Sequence, residues 1–183
     1  MYDFWRSRQF QQASRIGPYP IMTAAEIRLL AAEGYIRTGN FAAAITRINI
    51  SRSGSDTATV PAGKGGLPPI PLAVADTVTR IPGGASCVPR IPAPPYTAPY
   101  TTVCGNVWDA LKWEYRMETA YTGYGNWFFA ARGWGDLPQN TAVQWPVPYQ
   151  EMDARRESFY GFGGGGPSSA AAGNYGLYAG GVY

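Results

Sequence analysis

The chain has 183 residues, 45% of them hydrophobic and 15% charged, which is enough for one modest core and too little for two comfortable domains. Its net charge of +3 comes from scattered Lys and Arg rather than a basic run, which excludes the electrostatic footprint of a protein that tracks a phosphate backbone and leaves nucleic acid out of the expected partners. No stretch reaches the roughly eighteen uncharged apolar residues of a membrane span, and MYDFWRSRQF lacks the apolar segment of a signal peptide, so any export signal is expected on a longer precursor.

Residues 20–52 read as helical. In PIMTAAEIRLLAAEGYIRTG, Thr23 followed three residues later by Glu26 predicts a capping box, in which hydroxyl and carboxylate each satisfy an amide of the first turn. Plotted at about 100° per residue, Glu26, Glu33 and Arg37 share a narrow arc, while Ile27, Leu29, Leu30, Ala31, Tyr35 and Ile36 cover most of the rest; only that thin charged stripe is predicted to meet water. Gly39-Asn40 ends the helix and FAAAITRINISR starts another almost at once, which requires an antiparallel hairpin. The pair resembles a tetratricopeptide unit, with Tyr35, Gly39 and Ala44 at its large, turn and small positions, though no second copy follows at the roughly 34-residue period. Asn49-Ile50-Ser51 formally matches a glycosylation acceptor, and its place on a helix argues against that use.

Residues 53–105 change character. Ten of the sixteen Pro lie between Pro61 and Pro99, a density that rules out regular helix because each ring removes a donor and blocks the preceding turn. An extended or polyproline-like excursion is predicted, and one of this length is either functional or a poorly fixed surface loop.

Residues 106–131 return to helical patterning. In NVWDALKWEYRMETAY, the wheel places Asp109, Lys112, Arg116 and Thr119 on the wet face, and Val107, Ala110, Leu111, Trp113, Tyr115, Met117 and Tyr121 on the other. Glu114 and Glu118 fall in the middle of the apolar face. Two carboxylates at i and i+4 stand about 5–6 Å apart at Cβ, which overlaps the spacing used by glycoside hydrolases. A carboxylate on a buried face must, however, be paired or neutralised, and Arg132 follows within one short turn. The pair is therefore read as structural rather than catalytic. The chain contains no His, so the usual general base and commonest metal ligand are missing; neither catalytic residues, metal nor cofactor are expected.

The segment 131–156, ARGWGDLPQNTAVQWPVPYQEMDARR, is rigid and aromatic. Pro146 and Pro148 fix φ and hold Trp145 in an extended run, so the segment reads as a strap laid across helices. Trp134 and Trp145 are candidates for stacking on a sugar ring, with burial in a core as the commoner use of such side chains. Beyond them, 157–183 is dominated by Gly, Ala and Tyr.

Three blocks in this order, PIMTAAEIRLLAAEGYIRTGNFAAAITRIN, WEYRMETAYTGYGNWFFAARGWGDL and VQWPVPYQEMD, resemble the C-terminal third of SusD/RagB-like outer-membrane lipoproteins over about half of the chain. The resemblance implies a mainly α fold with tetratricopeptide-like hairpins, lipid-anchored at the cell surface, where such proteins cap a TonB-dependent transporter and capture glycans or other nutrients. RGWGDL is similar to the family's Arg-aromatic-x-Asp-Leu turn, which implies Arg132 against Glu114 or Glu118 and Asp136 at a cap. The Pro-rich excursion and the Gly/Tyr-rich tail depart from the family pattern, and the chain is expected to be a fragment or a stand-alone derivative. An exported setting in turn suits a Cys87–Cys104 disulfide closing the excursion.

The expected organisation is thus a single mainly α domain over 1–183: a helical hairpin plus a third helix, with 53–105 as a Pro-rich insertion and 157–183 as a Gly/Tyr-rich tail. Two functions compete. One is nutrient binding, of glycans above all, at the outer membrane or outside the cell with a TonB-dependent transporter as partner. The other is a structural or assembly subunit of an extracellular polymer, using the excursion and the tail, through Tyr175, Tyr178 and Tyr183, for self-association. Neither is an enzyme.

Overall fold

The computed structural model describes residues 12–17, 21–53, 66–95, 98–120, 122, 123, 125–137 and 148–157. They belong to two compact units, 1–124 and 125–183. Among the described residues there are five α-helices and one two-stranded sheet, so the fold is mainly α as predicted.

In the first unit, α1 (Ala24–Arg37) begins where Thr23 Oγ1 accepts from the Glu26 amide at 3.0 Å. It ends at Gly39, whose φ of 78° lies in the left-handed region and lets the Asn40 amide reach back to the Tyr35 carbonyl at 2.8 Å. Asn40 then opens α2 (Phe41–Ser53), its side-chain oxygen accepting from the Ala43 amide. The third helix, α3 (Val107–Thr119), is entered through a complete capping box: the Asp109 amide donates to Asn106 Oδ1 and the Asn106 amide donates to Asp109 Oδ2. α1 packs on both α2 and α3, and α2 packs on α3. Their shared core is Leu29, Ala32 and Ile36 from α1, Ala44, Ile45 and Ile48 from α2, and Val107, Ala110 and Leu111 from α3. A fully buried Ala from each helix lets the three backbones approach closely.

The stripe read on α1 is corrected. Glu26, assigned to water, is only 5% exposed, whereas Ile27 and Leu30, assigned to the core, are 55% and 44% exposed. The buried seam runs Ala25, Leu29, Ala32, Ile36, and Glu26 at its edge is turned toward α3, where the Tyr115 hydroxyl donates to its Oε1 at 3.3 Å. A donor waiting on a neighbouring helix decided which arc went inside, and a wheel of one helix contains no such information. α3 shows a smaller departure of the same kind. Thr119, expected on the wet face, is buried with its hydroxyl donating to the Tyr115 carbonyl at 2.7 Å.

In its described parts, 66–95 and 98–105, the Pro-rich excursion forms no α-helix and is tied down by a short antiparallel ladder. β1 (Arg90–Pro92) pairs antiparallel with β2 (Thr102–Cys104), with Ile91 opposite Val103. Cys87 and Cys104 form the predicted disulfide across this ladder. Arg90 ties the strands further, donating to the Thr102 side chain and to the Gly84 carbonyl. Ile70, Val74 and Ile81 are buried, so the excursion adds apolar side chains to the core rather than only draping over it.

In the second unit, α4 (Asn126–Trp134) closes at Gly135 (φ 79°), where the Asp136 amide donates to the Ala131 carbonyl at 2.8 Å. α5 (Tyr149–Arg155) follows Pro148 and ends on Arg156. Of the strap, Trp145 and Pro146 lie outside the described residues, as do Tyr121 and the tail from 158 onward.

Candidate functional site

α2 carries a buried stripe at helical spacing, Ile45, Ile48, Asn49, Arg52, that changes from apolar to polar along its length. Asn49 is 1% exposed, and its amide reads the backbone of Ile70 on both sides: Nδ2 donates to the Ile70 carbonyl at 2.9 Å and Oδ1 accepts from the Ile70 amide at 2.8 Å. A carboxamide matches a peptide group in this way because it offers one donor and one acceptor side by side. The glycosylation sequon is therefore closed inside the fold, in keeping with its reading as unused.

One turn further, Arg52 divides its guanidinium among three stretches of chain. Nε donates to the Pro68 carbonyl at 3.2 Å, Nη2 to the Val88 carbonyl at 2.8 Å, and Nη1 to Glu114 Oε1 at 3.1 Å. The Arg52 backbone carbonyl also accepts from the Leu67 amide at 2.8 Å. The Arg52 and Glu114 side chains are 2% and 6% exposed, so this ion pair is removed from water. Burial pushes the Glu114 carboxyl up to about 7 against the pull of Arg52, and neighbouring Glu118 adds to the rise. Burial likewise holds the Arg52 guanidinium below its usual range, against the pull of Glu114.

Glu114 is thus a buried, paired acid, and a guanidinium on it is that of Arg52 from α2. Arg132, implied by the resemblance as a partner of Glu114 or Glu118, is an exposed residue of α4. Glu118, expected deep in the apolar face, is half-buried. A carboxyl with about 5–5.5 Å to its partner can serve a retaining glycosidase only if both acids face one sugar. Glu114 instead faces Arg52 and offers almost no surface. Among the described residues no cluster of three or more His, Cys, Asp or Glu is placed to hold a metal ion.

The aromatic candidates lie on α4. Trp134 is half-buried, and its ring meets that of Trp127 edge to face with centroids 5.9 Å apart. Phe129 on the same helix is exposed, and its ring stands edge to face with that of Phe128. Trp145, the other candidate, falls outside the described residues. A second aromatic arrangement involves half-buried Trp108 of α3, over which Arg37 and Lys112 place their cations at 5.2 and 5.6 Å from the ring centroid.

Arg52 and Trp127 were not singled out from the sequence, and Asn49 was noted only as a formal sequon. For Asn49 and Arg52 a signal exists: Ile45, Ile48, Asn49 and Arg52 fall at i, i+3, i+4 and i+7, so two polar residues continue an apolar stripe and must bury with partners. Trp127 and Trp134 are seven residues apart, two helical turns, which places them on one face of α4.

No family model, curated protein or solved structure matches the chain.

Proposed function

We propose that the protein is a non-catalytic glycan-binding protein of the bacterial cell surface, a SusD/RagB-like partner of a TonB-dependent transporter with a tetratricopeptide-like hairpin at its centre. The observation that carries this reading is the Trp127–Trp134 pair on α4, two half-buried indoles held edge to face in the second of the three blocks that resemble the family. Such a pair offers flat apolar area at low conformational cost, which is what stacking on a sugar ring requires. The Cys87–Cys104 disulfide supports a site outside the cytosol, since disulfides persist in oxidising compartments. The deciding measurement is titration calorimetry with soluble glycans on the wild type, Trp127→Ala and Trp134→Ala. Each variant should weaken binding by about tenfold or more, as loss of an aromatic anchor does, with an unchanged helical spectrum. Undiminished affinity in both variants, or a wild type that binds no glycan, would overturn the reading.

The exposed Ile27 and Leu30 of α1 favour the second reading, a subunit of an extracellular assembly. Light scattering separates the two: a polymer that Ile27→Glu dissolves, in a protein without glycan affinity, selects assembly.

A further inference from the structure

The two sulfurs of the Cys87–Cys104 bond have unlike surroundings. Cys87, just before β1, is 5% exposed, whereas Cys104, at the end of β2, is half-buried. Arg90 of β1 places Nη1 at 3.6 Å from Cys87 Sγ. The Gly84 carbonyl oxygen lies 3.2 Å from Cys104 Sγ, and because a sulfur in a disulfide carries no proton, this contact is not a hydrogen bond. The Pro89 carbonyl stands farther from Cys87 Sγ, at 4.0 Å, and is engaged by the Gly105 amide at 2.9 Å.

These contacts acquire a direction once the bond is attacked. In thiol–disulfide exchange an incoming thiolate bonds to one sulfur and expels the other as a thiolate, which leaves faster the better its anion is stabilised. Expelled from Cys104, that anion would form against the Gly84 oxygen. Expelled from Cys87, it would form beside the Arg90 guanidinium, which is already held in place by its bonds to Thr102 and Gly84. A neighbouring cation and partial exposure are what make a sulfur reactive. Access selects the same direction, since Cys104 is the more exposed residue of the two.

We propose that Cys104 is a site of reversible modification by small thiols. The incoming thiolate bonds to Cys104 Sγ, the bond between Cys104 and Cys87 breaks, and its electron pair leaves with Cys87 as a thiolate beside Arg90. One thiolate is consumed and one is formed, so the small thiol is the sole co-reactant. The product is a mixed disulfide on Cys104. Attack of the Cys87 thiolate back on Cys104 Sγ expels the small thiol and restores the original bond. While the adduct persists, the strands 90–92 and 102–104 are joined by their ladder and by Arg90 alone.

The test exposes the folded, disulfide-bonded protein briefly to excess reduced glutathione, quenches it in acid and maps the mixed disulfides by mass spectrometry after digestion at low pH. A charge-assisted hydrogen bond to an anion about half developed at the point of cleavage favours Cys87 as the leaving group by about three- to tenfold. Glutathione should therefore be found on Cys104 in at least that excess over Cys87. Arg90→Gln should bring the two positions toward parity. Arg90→Lys, which loses the same fork to Thr102 but keeps a cation, should retain most of the bias, and this separates the charge from any loosening of the ladder. Glutathione chiefly on Cys87, an even distribution in the wild type, an unchanged bias in Arg90→Gln, or a Lys variant indistinguishable from Gln would each overturn the proposal.

Discussion

Replacing Asn49 with Ala removes the only side chain that addresses both polar groups of the Ile70 backbone among the described residues. Ile70 is itself 1% exposed, so water cannot take over either role without the excursion moving. Each of the two stranded buried groups costs about 1–3 kcal/mol, which gives an expected loss of about 2–6 kcal/mol in all. For a chain of this size that corresponds to a melting temperature lower by roughly 4–24 °C. Urea denaturation followed by circular dichroism measures it, with wild type and variant compared at their midpoints. Asn49→Asp sharpens the reasoning, because it keeps the acceptor for the Ile70 amide and turns the donor into an oxygen facing the Ile70 carbonyl. At neutral pH it should be at least as damaging as Ala; in acid, where the new carboxyl can donate, part of the loss should return. An Asn49→Ala variant within about 0.5 kcal/mol of wild type would refute the reasoning, since that is the size of an ordinary surface substitution.

Reduction of Cys87–Cys104, which are 17 residues apart, should lower stability by about 3 kcal/mol on the chain-entropy model, read from denaturation with and without reductant; alkylation of two thiols in the unreduced protein would contradict the bond. Tyr115→Phe should cost about 1 kcal/mol by removing the hydroxyl that donates to Glu26. Burial first, and then the Glu26 charge, push the Tyr115 hydroxyl up to about 12, so the stability it contributes should be present below the ordinary tyrosine range and be lost as pH rises toward that value; alkaline unfolding that is unchanged in the Phe variant would argue against it. Gly105→Ala should destabilise by about 1–3 kcal/mol, because an added Cβ would stand 2.7 Å from Asp109 Cβ and 3.0 Å from Pro89 Cγ, pressing on the α3 capping box; thermal melting detects it.

Local signals read well wherever the cause is local. Thr23 caps α1, Gly39 ends it, and the density of Pro keeps the described residues of 66–105 out of α-helix, because each effect involves neighbours within a turn or so of sequence. The inside of α1 was misread because Tyr115, 89 residues away, supplies the donor that takes Glu26 inward. The structural reading of Glu114 anticipated pairing from the cost of burying a charge, yet its partner lies 62 residues earlier and emerges only when α2 and α3 pack together. The excursion shows the same limit from the other side. Its lack of α-helix follows from proline geometry, whereas its attachment depends on Asn49 and Arg52, polar residues that look unremarkable until the stripe they continue is plotted.

The distribution of Arg52's bonds bears on how this region can be inherited or transplanted. A two-helix hairpin is often portable, able to be duplicated in tandem or grafted into another protein because its polar needs are met within itself. Here residues 24–53 cut out alone would carry a guanidinium deprived of α3 and of both excursion carbonyls, an Asn49 amide without Ile70, and a Glu26 without Tyr115. Recombination that preserves the fold must therefore move the hairpin together with everything up to α3, including a stretch of Pro-rich chain that looks, in the sequence, like the most dispensable part.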